Sequence, residues 1–479
     1  MLDSRPIAAT AGHYDEMYLP DGRPRAHYAA LAETLGRMGV EELRSRVASI
    51  GVSLLERGVT FTVYADTAGT ERVFPFDVIP RIITAAEWST IEAGIAQRVR
   101  AINAFIGDVY HAQRILRERR MPYDVVYSSK NYVREMVGVT VPRDIYIHVS
   151  GIDLIRAPDG EFLVLEDNCR VPSGISYVLE NRDVVKRGLP RLFYDYAVQP
   201  VDDYPSRLLD VLRYAAPRDI DRPNVVVLTP GMYNSAYFEH TLLARRMGVE
   251  LVEGSDLIVV DNVVYVKTTE GLARVDVIYR RIDDDWLDPL YFIEGSALGV
   301  TGLMNAYRSG NVAIANAPGA GVGDDKAIYR YVPEMIRYYL GEEPLLRNVP
   351  TYDCTDAAQR SHVLANLHEL VVKDTNGSGG YGMLMGPFAT VEEREKFADS
   401  IRARPRDFIA QPVVQISSAP TLVDRTIEGR RVDLRPFALY GREVTVPPAA
   451  LTRVALKPGS LVVNSSQGGG SKDTWVQQG

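Results

Sequence analysis

Hydrophobic spacing divides the chain into regions of different character. From about Arg25 to Arg57, apolar positions such as Leu31, Leu35 and Met38 recur at helical intervals. A second helical stretch, free of proline, runs from about Thr84 to Arg120. Both predict packing helices to which no chemistry is assigned. From Val125 the pattern changes to strands. Residues 145–149 lead into a strand over 151–156, and a second strand-like run, Phe162-Leu163-Val164-Leu165, ends in Glu166-Asp167-Asn168. Between the two lies Ala157-Pro158-Asp159-Gly160, a strong turn signal.

With Asp159-Gly160 as a two-residue hairpin loop, Pro158 faces Glu161 and Asp153 falls opposite Glu166. Side chains alternate along a strand, so Glu166 and Asn168 share that face. Two carboxylates and an amide oxygen then converge. Hard oxygen ligands of this kind suit Mg²⁺, which keeps waters and takes other ligands from a substrate phosphate. The same three residues also fit a plain solvated hairpin end.

Further on, 207–215 reads as helix, followed by a βαβ-like unit. Its first strand is 224–228, its loop Thr229-Pro230-Gly231, its helix N-cap Asn234 or Ser235, its C′ residue Gly248, and its next strand 249–252. A loop of this sort binds anions in many α/β folds, or is an ordinary connection. Glu239 and His240 lie on that helix, and exposure on its face is the simpler account of them. An alternating hairpin over 257–267 and a strand over 275–279 deliver Arg280-Arg281-Ile282-Asp283-Asp284-Asp285. That cluster suits a solvated salt-bridge loop, or a site positioning a carboxylate or phosphate.

Residues 369–387 read as strand, glycine loop, strand. Lys373 ends the first strand, and Gly377-Ser378-Gly379-Gly380-Tyr381-Gly382 lets backbone N–H groups crowd an anion. The loop satisfies GxGxxG, yet a strand follows it where a dinucleotide fold needs a helix, and no GK[ST] ends it. HRD and DFG motifs are absent from the chain. A hairpin lid over phosphates remains, beside the plain reading of a glycine-rich turn. A charged helix over 391–402 and an apolar run over 408–415 follow. The low-complexity patch at 464–471 suits a disordered tail or a second phosphate nest.

Composition narrows the classes. The chain has 479 residues, 46% hydrophobic and 24% charged, which suggests two or three packed lobes. A net charge of −8 argues against broad nucleic-acid binding. Cys169 and Cys354 form no CxxC pair, so a reducing compartment is expected and a zinc knuckle is not. The first residues lack the apolar core of a secretion signal, and no run approaches the ~18 apolar residues of a membrane span. A cytoplasmic protein without a membrane partner is the expectation. The seven histidines show no HExxH spacing, and His148, near Asp153, reads as a packed histidine. No GxSxG elbow marks a serine hydrolase.

Taken together, Gly151-Ile-Asp153, Leu165-Glu166-Asp-Asn168, the run from Asn316 through Gly323-Asp-Asp to Lys326, Lys373 with its glycine loop, and the ending Asn464 to Trp475 resemble the circularly permuted ATP-grasp family, relatives of glutathionylspermidine synthetase. The matching motifs spread over about 145–479, with the metal segment ahead of the ATP lysines as a permuted order implies. The resemblance implies an α+β ATP-grasp fold in four parts. These are a helical N-terminal region (1–125), a metal-binding hairpin segment (126–214), an α/β substrate lobe (215–310) and an ATP-binding lobe (311–479). It implies that Asp153, Glu166 and Asn168 hold two Mg²⁺ ions and that Lys326 and Lys373 bind ATP phosphates. Gly377, Ser378, Gly379, Gly380, Tyr381 and Gly382 would close over the γ-phosphate. Gln411, Pro412 and Val413 would form the hinge beside adenine. Arg435 and Arg453 would neutralise phosphate or an acyl-phosphate, with Arg280, Arg281 and Asp283 in a substrate- or metal-adjacent role. The implied reaction is ATP- and Mg²⁺-dependent ligation of a carboxylate to an amine, on a peptide or amino-acid-like substrate; a homo-oligomer is compatible with it. A phosphotransferase that stops at a phosphorylated product, and a nucleotide-binding scaffold without turnover, are the alternatives.

Overall fold

The long strand Thr426–Tyr440 is the spine of the molecule, pairing on one side with Val149–Arg156 and on the other with Ala450–Val454. In this computed structural model, which describes residues 12–62, 71–73, 75–377, 382–457, 459–461, 463 and 469–479, it lies inside a nine-stranded mixed sheet. The sheet runs from Arg347–Asn348 through Phe162–Asn168, Val149–Arg156, the spine, Ala450–Val454 and Gly470–Val476 to Phe76–Ile83. Side chains alternate between the faces of the sheet. Ile152, Leu154 and Val164 pack with the helix Ala85–Tyr110 through Trp88, Ile95 and Ile102. Val149, Phe437, Leu439 and Trp475 pack on the other face with the helix Ile175–Gly188 and with Leu31 and Leu35 of the helical run Ala29–Glu56. The Ala85–Tyr110 helix starts at a capping box: Thr84 Oγ1 accepts from Glu87 N at 3.3 Å, and Glu87 Oε2 accepts from Thr84 N at 2.9 Å. Such a cap contributes about 1 kcal/mol.

Among the described residues four smaller sheets accompany this body, and two of them have four strands each. A parallel four-stranded sheet in the order Ala313–Ala315, Val277–Arg280, Val225–Leu228, Glu250–Val252 carries the helix Tyr237–Met247. The other is antiparallel, in the order Tyr352–Asp353, Phe408–Pro412, Leu370–Asp374, Met383–Met385. The α+β class, the permuted order and the helical N-terminal region stand.

Several local expectations are corrected. The helical N-terminal region also contributes a strand to the main sheet, Phe76–Ile83, which runs parallel to Gly470–Val476. Residues 145–148 are not a strand; the strand begins at Val149. The amides there are taken by side chains instead: Asn103 Oδ1 accepts from Tyr146 N at 2.8 Å, and Asn316 Oδ1 accepts from His148 N at 2.7 Å. The helix after the Thr229 loop starts at Tyr237, two residues late, since Asn234 Oδ1 caps Ala236 N at 2.9 Å in a turn. Gly248 ends it at φ +69°. Residues 464–468 of the C-terminal patch lie outside the described residues, while Gly470 already opens a buried strand. Among the described residues, no helix is long and apolar enough to cross a membrane.

Candidate functional site

Asp153 does lie opposite Glu166, but not for the reason that counting predicts. The turn is one residue longer than a two-residue loop. Ala157 N donates to Glu161 O, Gly160 N donates to Ala157 O, and Gly160 adopts φ +90°. That register alone would set Asp153 against Leu165. A β-bulge between Asp153 and Leu154 restores the pairing, so that Gly151, Ile152 and Asp153 face Asn168, Asp167 and Glu166. Bulges re-aim side chains in this way beside functional sites. Leu165 and Glu166 both reach the same cleft.

Asp167, between the two candidate ligands, points to the opposite face. Buried Arg98 grips it through Nε at 2.6 Å and Nη2 at 2.7 Å, and its Nη1 donates to Asn348 Oδ1 at 2.7 Å. This clamp ties the hairpin to the capped helix. Asn316 adds a second tie, donating to Val149 O at 2.6 Å and Cys169 O at 2.7 Å.

The spine brings two arginines to Asp153. The pairs Leu434↔Leu154 and Phe437↔Gly151 set Arg435 across from Asp153, and Asp433 pairs with Arg453 on the next strand. Arg435 Nη2 donates to Asp153 at 2.8 Å, and Arg453 Nη2 at 2.6 Å. Arg453 Nε also reaches both oxygens of Asp433 at 3.0 Å. Burial pushes the Asp153 carboxyl up, but Arg435 and Arg453 outweigh it and hold it below the usual range. For Asp433 burial wins and raises the pKa. Asp153 is therefore charge-compensated by guanidinium groups, and Glu166 and Asn168 are the hairpin's remaining candidate oxygen donors. Asn168 donates its amide N–H to Gly151 O at 3.2 Å.

A cleft of about 1020 Å³ separates this hairpin from the small antiparallel sheet. Val371, Lys373, Met383, Met385 and Gln411 occupy the cleft face of that sheet. Leu370, Val372, Leu384 and Ala410 point away and pack on Val363, Leu367 and Ile401. Ile155, Leu165 and Val349 form the opposite apolar wall, with Val413 and Ile416 at the edge. Lys373 Nζ donates to Gln411 Oε1 at 2.8 Å, and burial pushes the lysine down to about 8 despite the pull of Glu166 and Asp153. Lys326 Nζ donates to Gly377 O at 2.6 Å and stands 3.4 Å from Glu166 Oε2. Gly377 and Gly382 flank the glycine loop; Ser378, Gly379, Gly380 and Tyr381 lie outside the described residues.

A second, more polar cleft of about 1440 Å³ adjoins the first, sharing Glu166, Lys326 and Gly377 with it. Arg281 lines it and is held at both terminal nitrogens: Nη2 donates to Ser173 Oγ at 2.6 Å and Glu239 Oε1 at 2.9 Å, and Nη1 to Tyr279 OH at 3.1 Å, while Nε is buried without a partner among the described residues. Glu239 and His240 are not on an exposed helix face, each being 1% exposed. Glu239 takes the amides of Gly174 and Ser176, and burial pushes His240 down to about 2. Arg280 does not sit in a solvated loop either. It is buried and donates to the carbonyls of Asn316, Ile282 and Ala317. Sequence reasoning missed Asp324, which lines this cleft, accepts from Cys169 N, and is pushed up to about 7 by burial. Its signal was the glycine run that delivers an acid two residues before Lys326. Also missed were Arg98 and Asp433. Alternation already set Asp167 on the buried face, which asks for a cation. Among the described residues, no group of three or more His, Cys, Asp or Glu side chains is arranged to hold a metal.

Residues 80–455 match the family model described as circularly permuted ATP-grasp type 2. An uncharacterised protein of Synechocystis sp. is 55% identical over 97% of both chains. A Frankia alni protein named "Putative glutamate--cysteine ligase 2-3" is 47% identical over 97% of this chain, which spans only 54% of that protein. A glutathione synthetase-like effector from Globodera pallida, solved in its apo form, superposes with a TM-score of 0.55 at 11% identity. That superposition covers 90% of this chain and 96% of the effector, and it shows a shared fold.

Proposed function

The chain belongs to the circularly permuted ATP-grasp type 2 family, and from that premise we propose that it is an ATP-dependent carboxylate–amine ligase. The observation that carries the reading is the meeting of Lys326 with Glu166 and with the Gly377 carbonyl at the junction of two clefts. The apolar-walled cleft suits a nucleotide base. Lys373 and Lys326 at its inner end suit phosphates, and Gln411 with Val413 suits the base edge. The polar cleft beyond Glu166 suits the acid and the amine.

Glu166 and Asn168 fit Mg²⁺, which needs few protein ligands when phosphates and waters supply the rest. Asp153 stands behind them, held by Arg435 and Arg453. Glu166 and Asn168 are the residues that would hold such a metal, which would supply neutralisation of phosphate charge. The chain's own cations do the remainder. Lys326, Lys373 and Arg453 offset the repulsion between an incoming carboxylate and the triphosphate. The carboxylate oxygen attacks the γ-phosphorus and ADP departs. The amine nitrogen then attacks the acyl carbon, the C–O bond to phosphate breaks, phosphate leaves, and the surplus N–H proton passes to solvent. Gly377 lines both clefts at this junction, where exclusion of water would protect the acyl-phosphate. The four parts 1–125, 126–214, 215–310 and 311–479 serve this scheme as scaffold, metal hairpin, substrate lobe and nucleotide lobe.

The Frankia name is consistent with a ligase, but about half of that protein lies outside the match. The test is ADP release from Mg²⁺-ATP with a panel of acids, with and without amines. Amine-dependent release supports the ligase. Release with acid alone and a stable phosphorylated product identifies a phosphotransferase. Tight ATP binding without turnover identifies a scaffold.

A further inference from the structure

Two loops form the mouth of the polar cleft, and both hold large apolar side chains out to solvent. The first, after the strand Val225–Leu228, lines the cleft with Pro230, Asn234 and Ser235 while exposing Met232 (68%) and Tyr233 (89%). The second lines it with Asp283 and Trp286 and exposes Trp286 (39%), Leu290 (63%) and Ile293 (41%). These loops are held in place rather than loose. A Cβ at Gly231 would meet Glu253, one at Gly254 would meet the Leu298 and Gly299 carbonyls, and one at Gly299 would meet the Trp286 carbonyl at 2.0 Å. The second loop therefore packs backbone to backbone through 254, 298–299 and 286, and the first joins it at 231 through the Glu253 side chain. Scattered exposed apolar residues need no explanation, but five on two joined loops at one cleft mouth mark a contact surface.

The charged residues of these two loops are all acidic; Asp283 pairs with Arg170 of the cleft at 3.3 Å and Asp284 with buried Arg280 at 3.0 Å, which leaves Asp285 and Glu294 as the rim's exposed acids without an ion pair among the described residues. Residues 229–236 and 282–299 contain no Lys or Arg, while 282–299 contain Asp283, Asp284, Asp285, Asp288 and Glu294. Asp283, Asp285 and Glu294 are exposed. An apolar and acidic rim complements a chain that is apolar and basic.

Resting on the ligase reading, we propose that the amine substrate is a peptide, which inserts its ammonium into the polar cleft and lays apolar and basic residues across these two loops. A free amino acid or small diamine would leave the rim uncovered. A peptide reaches further than either, since an extended chain advances about 3.3–3.6 Å per residue.

Fluorescence anisotropy of the full chain tests this. The probe is a hexapeptide of alternating Leu and Lys with a free N-terminus and a C-terminal fluorophore. Binding should be displaced by unlabelled peptide and at least tenfold less well by free lysine. The double variant Tyr233→Ser/Leu290→Ser should weaken binding at least tenfold while ATP affinity stays unchanged. Asp285→Lys/Glu294→Lys should do the same and shift preference to an alternating Leu–Glu peptide. Equal binding to parent and variants, or equal displacement by free lysine, overturns the proposal. So does a self-association, seen by light scattering, that Tyr233→Ser abolishes, because a second copy would then be the occupant. The readout needs no turnover, so the two readings fail separately. Peptide binding without any amine-dependent ADP release sinks the ligase reading, whereas such release with small amines and no peptide binding sinks this one.

Discussion

Replacing Arg98 by Met removes the cation that holds the reverse side of the hairpin carrying Asp153 and Glu166. Arg98 is 1% exposed and Asp167 3%. The variant deletes two charge-assisted bonds to Asp167 at 2.6 and 2.7 Å and one to Asn348 at 2.7 Å. It also leaves a carboxylate buried without its cation. Breaking a buried pair from one side costs about 3–5 kcal/mol, whereas replacing both partners by apolar groups is close to neutral. Arg98→Met should therefore lose about 3–5 kcal/mol in urea unfolding followed by circular dichroism. Arg98→Met/Asp167→Leu should return to within about 1 kcal/mol of the parent. The stabilisation that Mg²⁺-ATP gives the parent should shrink in the single variant, since Glu166 and Asn168 flank Asp167 on the freed strand. A single-variant loss below about 1 kcal/mol, or a double variant no better than the single, would refute the clamp.

Other expected outcomes concern charge and pH. Glu166→Gln should abolish ADP release while the circular dichroism spectrum and urea midpoint stay near the parent's; unchanged turnover contradicts its role. Lys373 is pushed down to about 8, so ATP affinity by calorimetry should fall as pH rises through about 8, and Lys373→Arg should flatten that fall. His148 is buried, has both ring nitrogens unpartnered, and is pushed down to about 4 from 6.5. Its unfolded form binds a proton first, so its contribution is present above pH 6.5 and lost as pH drops toward 4, by about 3 kcal/mol in total. His148→Phe should remove that part of the acid slope in unfolding curves, and an unaltered slope would show that His148 does not carry it.

Much of the site was legible because strand alternation is local. That Glu166 and Asn168 share a face follows from counting along one strand, and Lys373 at a strand end follows from the apolar run before it. What escaped depended on distant partners. The register arrived through two offsetting irregularities, a longer turn and a bulge at Leu165, that no local count separates. Phe76–Ile83 joins the main sheet only through Gly470–Val476, nearly the whole chain away. Buried Lys472, paired with Asp77, shows the same dependence. Glu239 looked like a surface acid because its cation, Arg281, is 42 residues away. Arg435 and Arg453 were found as cations, but that they would both grip Asp153 required the spine's pairing on both edges.

The central claim is that one triphosphate lies between the acidic hairpin and the small sheet. A crystal structure with Mg²⁺ and a non-hydrolysable ATP analogue tests it most directly. The account predicts the base against Val371, Met385 and Val413, and the phosphates between Lys373, Lys326 and Glu166. An analogue bound elsewhere, with that cleft filled only by solvent, would contradict it.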